Sequence, residues 1–248
     1  MAHPLRVSGS ESENRWSQTK HEIFAPLPCK LLTVSPSGSG KSSILLAVAN
    51  ILFEHMTYWA IFSASHDIDP AWKALIARIK QRYKDQGIED MPFLFSDLTE
   101  LTKVLATQRQ RIAALKEQEP PVTRLPMLAC MIDDVSLEQT RHSAVLDNAF
   151  ARSRHYGVNL LTGCQLYKNL SVAVRSNADI LTIHRLPTQQ YLAVEDSVVG
   201  QWVSRQQFRE LCEVAWSKHE YGFLTIRLKS RNPRQMFAAD FETWLEAR

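Results

Sequence analysis

Residues 30–43 read KLLTVSPSGSGKSS, and this stretch decides the fold. It opens with a mostly apolar run, KLLTV, which favours a buried strand. A glycine-bearing segment follows at 35–42, and after it SSILLAVANILF at 42–53 carries apolar residues at helical spacing. A strand, a glycine-rich loop and a helix in this order are the context that a phosphate-binding loop requires.

The loop offers backbone and side-chain groups to a nucleotide. Its N–H groups and the helix N-terminus can surround a β-phosphate, because Gly38 and Gly40 carry no side chain to block the approach. Lys41 is expected to neutralise the β and γ phosphates of ATP, and the Ser42 hydroxyl to coordinate Mg²⁺. The predicted nucleotide contacts are Ser35, Pro36, Ser37, Gly38, Ser39, Gly40, Lys41, Ser42 and Ser43.

Ser35 departs from the phosphate-loop pattern, which has its first glycine at this position. If the position needs φ above zero, a residue with a side chain costs on the order of 1 kcal/mol. We then expect a looser loop that still binds nucleotide through Lys41 and Ser42, with turnover as the more sensitive property. The alternative is a serine- and glycine-rich turn that only caps a helix.

A second apolar run ends in two carboxylates. MLACMIDD at 127–134 is typical of a strand buried on both faces of a parallel sheet. Adjacent carboxylates at a strand end are costly without a cation or a hydrogen-bonding role. We expect Asp133 to hold the Mg²⁺ shell, directly or through water, and Asp134 to orient or deprotonate the attacking water as general base. The alternative is an Asp-Asp cap of a helix that begins near VSLEQT.

Further polar residues follow or precede the next strand, GVNLLTGC. Gln165 comes directly after it, and a neutral amide there can contact both the γ-phosphate and the lytic water, as a sensor. The alternative for Gln165 is an ordinary turn residue. Arg152, Arg154 and Arg175 are candidates for an arginine finger that acts in its own or a neighbouring subunit. The alternative for each arginine is a solvated surface position.

The rest of the chain alternates strands and helices. This pattern predicts a mostly parallel, three-layer α/β domain. At 221–240, two short strands around an Asn-Pro turn predict an antiparallel addition at the sheet edge. The remaining predicted strands are 57–65, 92–97 and 178–186, and the remaining predicted helices are 69–86 and 98–118.

Composition sets broad limits on function. Residues 1–20 are polar and predict a flexible arm before a single domain at 21–248. The net charge of +3 is too small to indicate nucleic-acid binding by bulk electrostatics. No apolar run approaches the roughly 18 to 20 residues of a membrane helix, so we expect a soluble protein. The four scattered cysteines favour reduced thiols.

The sequence resembles the genome-packaging ATPases of large double-stranded DNA viruses, in the FtsK and HerA branch of P-loop ATPases. The resemblance rests on four segments in this order: SPSGSGKSS, MLACMIDD, ARSRHYGVNLLTGCQ and VRSNADIL. The resemblance covers about residues 28 to 240. It implies a RecA-like core, a homo-oligomeric ring of five or six subunits, and ATP-driven translocation of double-stranded DNA into a capsid. It also implies contact with capsid or membrane-vertex proteins, in the host cytoplasm or the virion.

Two other functions remain open at this stage. A cellular DNA translocase or helicase of the same branch shares every motif. An ATP-binding switch or assembly scaffold with little turnover is a candidate from another class, and Ser35 is its main support. Asp134 and Gln165 argue against the scaffold, because a pure binding module does not need groups that position water.

Overall fold

The computed structural model describes residues 15–67, 69–88, 91–120, 122–133, 143–200 and 203–247. Within them lies a three-layer α/β domain. The helices are α1 Lys41–Leu52, α2 Pro70–Asp85, α3 Leu101–Lys116, α4 Ala144–Arg152, α5 Val172–Asn177, α6 Thr188–Val198 and α7 Arg205–Ser217. The strands are β1 Lys30–Val34, β2 Tyr58–Ser63, β3 Leu94–Phe95, β4 Leu128–Asp133, β5 Val158–Cys164, β6 Ile180–Ile183, β7 Leu224–Arg227, β8 Phe237–Ala239 and β9 Thr243–Leu245.

In the described part of the chain the strands form one sheet in the order β3-β2-β4-β5-β1-β6-β7-β8-β9. The first six strands in this order are parallel, and β7, β8 and β9 continue the sheet in antiparallel fashion. Since β5 lies between β1 and β4, the ends of these three strands meet at one edge. The loop after β1, the carboxylate that ends β4 and the residue after β5 therefore lie together.

Alternating side chains of the parallel strands face two apolar layers. Leu31 packs in the layer that contains Leu45 of α1, whereas Leu32 packs in the opposite layer with Phe150 of α4. All five residues of β1 are buried. This double burial explains why the strands read as continuous apolar runs, and it fixes the loop after β1 on a rigid base.

The predicted fold class is confirmed, with local differences. Only Leu94–Phe95 of the strand predicted at 92–97 pairs in the sheet. The antiparallel addition forms as predicted, with β7 and β8 on either side of the Asn232-Pro233 turn. β9 was not predicted. Its segment TWL is only three residues long and is largely accessible, so it has no clear apolar pattern.

The boundary between the arm predicted at 1–20 and the domain at 21–248 stays a prediction, but residues 15–20 already contact the domain. Trp16 is buried and packs against Gly157, and Ser17 shares a hydrogen bond of 2.6 Å with His55 Nδ1. The main chain at Arg15 accepts a hydrogen bond from Leu125. One large aromatic side chain stabilises a segment whose average composition is polar. Residues 1–14 lie outside the described residues.

None of the helices in the described residues is both long and apolar enough to cross a membrane.

Candidate nucleotide-binding site

The loop between β1 and α1 has the backbone geometry of an anion-binding turn. Gly38 and Gly40 have φ of 74° and 92°, which is the left-handed region that glycine enters without strain. Gly40 is the N-cap of α1 and has no side chain, so no side-chain oxygen of the cap occupies the first-turn N–H groups. The positive end of the α1 dipole therefore opens onto the loop.

Lys41, Ser42 and Asp133 come from distant parts of the chain and form one cluster, in which Lys41 and Asp133 are buried. The Lys41 ammonium donates a hydrogen bond to Asp133 Oδ1, and Ser42 Oγ donates to Asp133 Oδ2 at 2.5 Å. Asp133 is 0% exposed and Lys41 is 7% exposed. A buried carboxylate is stable here because the ammonium compensates its charge. The structure thus brings Lys41, Ser42 and Asp133 together, and their roles in binding phosphate and Mg²⁺ stay predictions.

Gly163 of β5 leaves room for this cluster because it has no side chain. A Cβ at this position would lie 2.9 Å from Asp133 Oδ1 and 3.0 Å from Cγ and Cδ of Lys41. The side chain of any other residue would therefore displace the ion pair. Our reading of the sequence missed this role, although a glycine inside a buried strand is a signal of close approach by another group.

The strain expected at Ser35 is absent from the structure. Within the described residues Asp240 is the non-glycine residue with positive φ, so Ser35 has an ordinary backbone conformation. The position therefore does not need a glycine. Ser35 is fully buried, its N–H donates to the Cys164 carbonyl at 3.1 Å, and its hydroxyl shares a hydrogen bond of 2.6 Å with His184 Nδ1.

His184 is a site residue that the sequence did not reveal. It follows β6 directly, and its N–H donates to the carbonyl of Val34, the last residue of β1. Burial lowers the pKa of His184 below its ordinary value, and this effect outweighs the opposing influences of Tyr221 and Asp240. A neutral imidazole therefore anchors the start of the loop at neutral pH. A histidine at a strand end gives too weak a sequence signal to identify this contact.

Gln165 lies where the sequence places it, and Asp134 lies outside the described residues. Gln165 follows β5 directly, between the strand that leads to the loop and the strand that ends in Asp133, and its side chain is exposed. The roles of Gln165 as sensor and of Asp134 as general base stay predictions.

The structure places Arg152 and Arg154 away from the Lys41 cluster, whereas Arg175 lies near the carboxyl end of β5. Arg154 pairs with Asp179 at 3.0 Å, and Asp179 also accepts a hydrogen bond from the N–H of Lys30 at the start of β1. Arg154 therefore lies at the amino ends of the strands, opposite the loop. Arg152 ends α4 near the same edge. The Arg175 guanidinium lies 5.2 Å from the Tyr167 ring centroid, so this side chain packs just beyond β5. An arginine finger from Arg154 thus stays a prediction for a neighbouring subunit only.

The donor set fits Mg²⁺ bound together with phosphate. Magnesium ions at nucleotide sites take one or two protein oxygens and complete their shell with phosphate oxygens and water. Ser42 Oγ and the Asp133 carboxylate supply such oxygens side by side. No group of three or more His, Cys, Asp or Glu residues forms a metal cluster in the described residues. Ser42 and Asp133 therefore offer oxygens to a metal that also binds phosphate oxygens and water.

Comparison with known proteins gives structural neighbours only. Neither a protein-family profile nor a curated protein matches the sequence. The genome packaging NTPase B204 from Sulfolobus turreted icosahedral virus 2, in complex with ATP-gammaS, is similar with a TM-score of 0.51 and 14% identity, over 89% of this chain and 98% of that chain. The AMP complex of the same protein is similar with a TM-score of 0.54 and 13% identity, over 85% of this chain and 95% of that chain.

The DNA-packaging ATPase B204 from Sulfolobus Turreted Icosahedral Virus is also similar. Its TM-score is 0.52 at 15% identity, over 85% of this chain and 96% of that chain. The likeness extends over almost the whole of each neighbour, and at this low identity it establishes the fold. The chain therefore has the fold of the viral genome-packaging P-loop NTPases.

Proposed function

We propose that the protein is an ATP-hydrolysing motor that moves double-stranded DNA, and that its task is to package a viral genome into a capsid. The observation that carries the proposal is the cluster of Lys41, Ser42 and Asp133 beside the glycine loop. Its structural neighbours include genome-packaging NTPases, one of them bound to ATP-gammaS, and they support the finer assignment.

The chain's own groups suggest how the site works. The N–H groups of the loop and of the α1 N-terminus bind the phosphates, and Lys41 places a positive charge beside them. Asp133 and Ser42 would hold a cation that balances the remaining phosphate charge. Magnesium, when bound, polarises the phosphoryl oxygens and neutralises the charge that develops on them. Gln165 positions the attacking water, and Asp134 accepts its proton.

Ser35 no longer supports the scaffold alternative. The alternative rested on a strained loop, and Ser35 has an unstrained backbone with its hydroxyl bonded to His184. The motor is the better candidate because the site holds a lysine, a cation-binding carboxylate and an amide at one edge. The proposed assembly is a ring of identical subunits acting in the host cytoplasm or the virion, with capsid or membrane-vertex proteins as further partners.

ATP hydrolysis with and without double-stranded DNA tests the proposal. Wild type, Lys41→Ala and the control Lys116→Ala, an exposed lysine of α3 far from the loop, should be measured together with the mass of the assembly. We expect DNA-stimulated turnover by an oligomer in wild type and the control, and its loss in Lys41→Ala. ATP binding without turnover under any condition would exclude the motor and favour the switch or scaffold.

A further inference from the structure

A cavity of about 820 Å³ opens beside the phosphate loop. Gly38, Gly40 and Ile44 line it on the side of the loop and α1. The opposite wall comes from the C-terminal part of the chain and includes Tyr221, Phe223 and Phe241. Pockets of roughly 300 to 1,000 Å³ with aromatic walls and a few polar groups are typical for small-molecule ligands.

Tyr221 lies immediately next to the loop. A Cβ placed on Gly40 would be 3.7 Å from Tyr221 Cδ1 and 3.8 Å from His184 Nε2. Gly40 directly precedes Lys41, so a ligand whose phosphates reach Lys41 passes this ring if it extends into the cavity. Tyr221 is 51% exposed, so one part of the ring is available for stacking while the other packs at the loop.

The turn that carries Tyr221 is held in place by Asp240. Asp240 adopts a φ of 54°, an uncommon conformation for a residue with a side chain. Its carboxylate accepts the N–H of Phe223 at 3.3 Å and pairs with His219 at 3.2 Å and Lys218 at 3.1 Å.

Gly222 restricts the same turn from the other side. A Cβ there would lie 2.5 Å from the carbonyl oxygen of Ala215. These contacts hold the backbone of the turn that carries the aromatic wall, and a preorganised wall lowers the entropy cost of binding.

We propose that this cavity binds the nucleoside part of a purine nucleoside triphosphate, with the Tyr221 ring stacked on the base. The inference rests on the proposed function, since the loop must hold the phosphates. A two-ring base covers the tyrosine face well, and the polar groups of Lys218, His219 and Glu242 in the same cavity supply hydrogen bonds for the ribose.

The test compares ATP with inorganic tripolyphosphate, which has the phosphates but no nucleoside. Both are titrated calorimetrically, with Mg²⁺, into wild type, Tyr221→Ala, Tyr221→Phe and the control Val214→Ala, an exposed apolar residue of α7. Loss of one base-stacking contact should weaken ATP binding by about 10- to 100-fold. We expect this loss in Tyr221→Ala only, with tripolyphosphate binding unchanged and the phenylalanine variant similar to wild type.

The other outcomes separate this inference from the proposed function. Equal ATP affinity in wild type and Tyr221→Ala would overturn the stacking site while the phosphate loop stands. If Tyr221→Ala weakens the binding of ATP and of tripolyphosphate equally, the stacking site is also overturned, because the substitution would then act through the phosphate loop. If wild type binds neither compound, the phosphate loop itself is misassigned and both proposals fall.

Discussion

Ser35 Oγ and His184 Nδ1 share a hydrogen bond of 2.6 Å that joins the start of the phosphate loop to the end of β6. Both residues are buried. Ser35 stands where the loop pattern has a glycine, so the bond gives a structural role to a residue that looks like a defect in the motif. At this position the Ser35 hydroxyl makes a specific contact with His184 that a glycine could not make.

Removal of this hydrogen bond should destabilise the protein and weaken nucleotide binding. We expect Ser35→Ala to lower the free energy of unfolding by about 1–2 kcal/mol, because His184 loses a buried partner. Ser35→Gly should not improve ATP binding or turnover, although it restores the motif. Denaturant unfolding and ATP titration measure these effects, with Ser37→Ala, an exposed loop hydroxyl, as the stability control. Faster turnover in Ser35→Gly would contradict the role given to His184.

A methyl group at Gly163 should disrupt the site while the fold persists. The added Cβ of Gly163→Ala would press on Asp133 and Lys41, and overpacking of this kind costs about 1–3 kcal/mol. We expect ATP binding to weaken by roughly tenfold or more. The control is Thr162→Ala, on the opposite face of β5, where the hydroxyl has no hydrogen-bond partner within the described residues. Unchanged ATP affinity in Gly163→Ala would show that the cluster is not needed for binding.

Trp16 should contribute substantially to stability although it lies in a polar segment. Trp16→Ala removes a buried aromatic side chain, at an expected cost of about 3 kcal/mol. Gly157→Ala should also destabilise, since Gly157 has φ of 66° and its added Cβ would lie 2.3 Å from Trp16 Cζ3. The double variant should be less destabilised than the sum of the two single variants, because the added methyl group no longer clashes with the Trp16 ring. Denaturant unfolding of all three variants checks this, and strict additivity would contradict the contact.

Glu195 should hold α6 and α7 together in a pH-dependent way. It is buried and bonds Arg205 and Arg209, the latter at 3.1 Å. Burial raises the pKa of Glu195, but the hydrogen bonds with Arg209 and Arg205 outweigh burial and hold the pKa below the ordinary 4.5. The charged form therefore stabilises the fold above about pH 4.5, and this contribution is lost as the pH falls through the lower folded-state value.

Thermal unfolding of Glu195→Gln across pH measures this contribution. The variant should unfold at a lower temperature than wild type at pH 7, and the gap should narrow below about pH 4.5. Glu213→Gln, which breaks an exposed pair with Arg185, is the matched control and should show little change. A gap that stays constant down to acid pH would contradict the charged role of Glu195.

The sequence predicts the parallel core well because its strands are buried on both faces and read as apolar runs that end in polar residues. The positions of Lys41, Ser42 and Asp133 follow from this pattern, since carboxyl ends of parallel strands share an edge. His184 and Tyr221 do not follow from it. His184 meets the loop because β6 pairs beside β1, and Tyr221 reaches it from the turn before β7; no local sequence pattern identifies either contact. Arg154 lies close in sequence to β5, but the structure places it at the amino ends of the strands, opposite the phosphate loop.

Calorimetric titration of ATP into wild type and Ser42→Ala, with Mg²⁺ and with a chelator, tests the central claim most directly. The claim is that the loop binds a nucleotide whose cation is held by Ser42 and Asp133. We predict that wild type binds ATP, that Mg²⁺ strengthens the binding, and that Ser42→Ala loses this strengthening but still binds ATP through Lys41 and the loop. No binding by wild type, or a full Mg²⁺ effect in Ser42→Ala, would contradict the account.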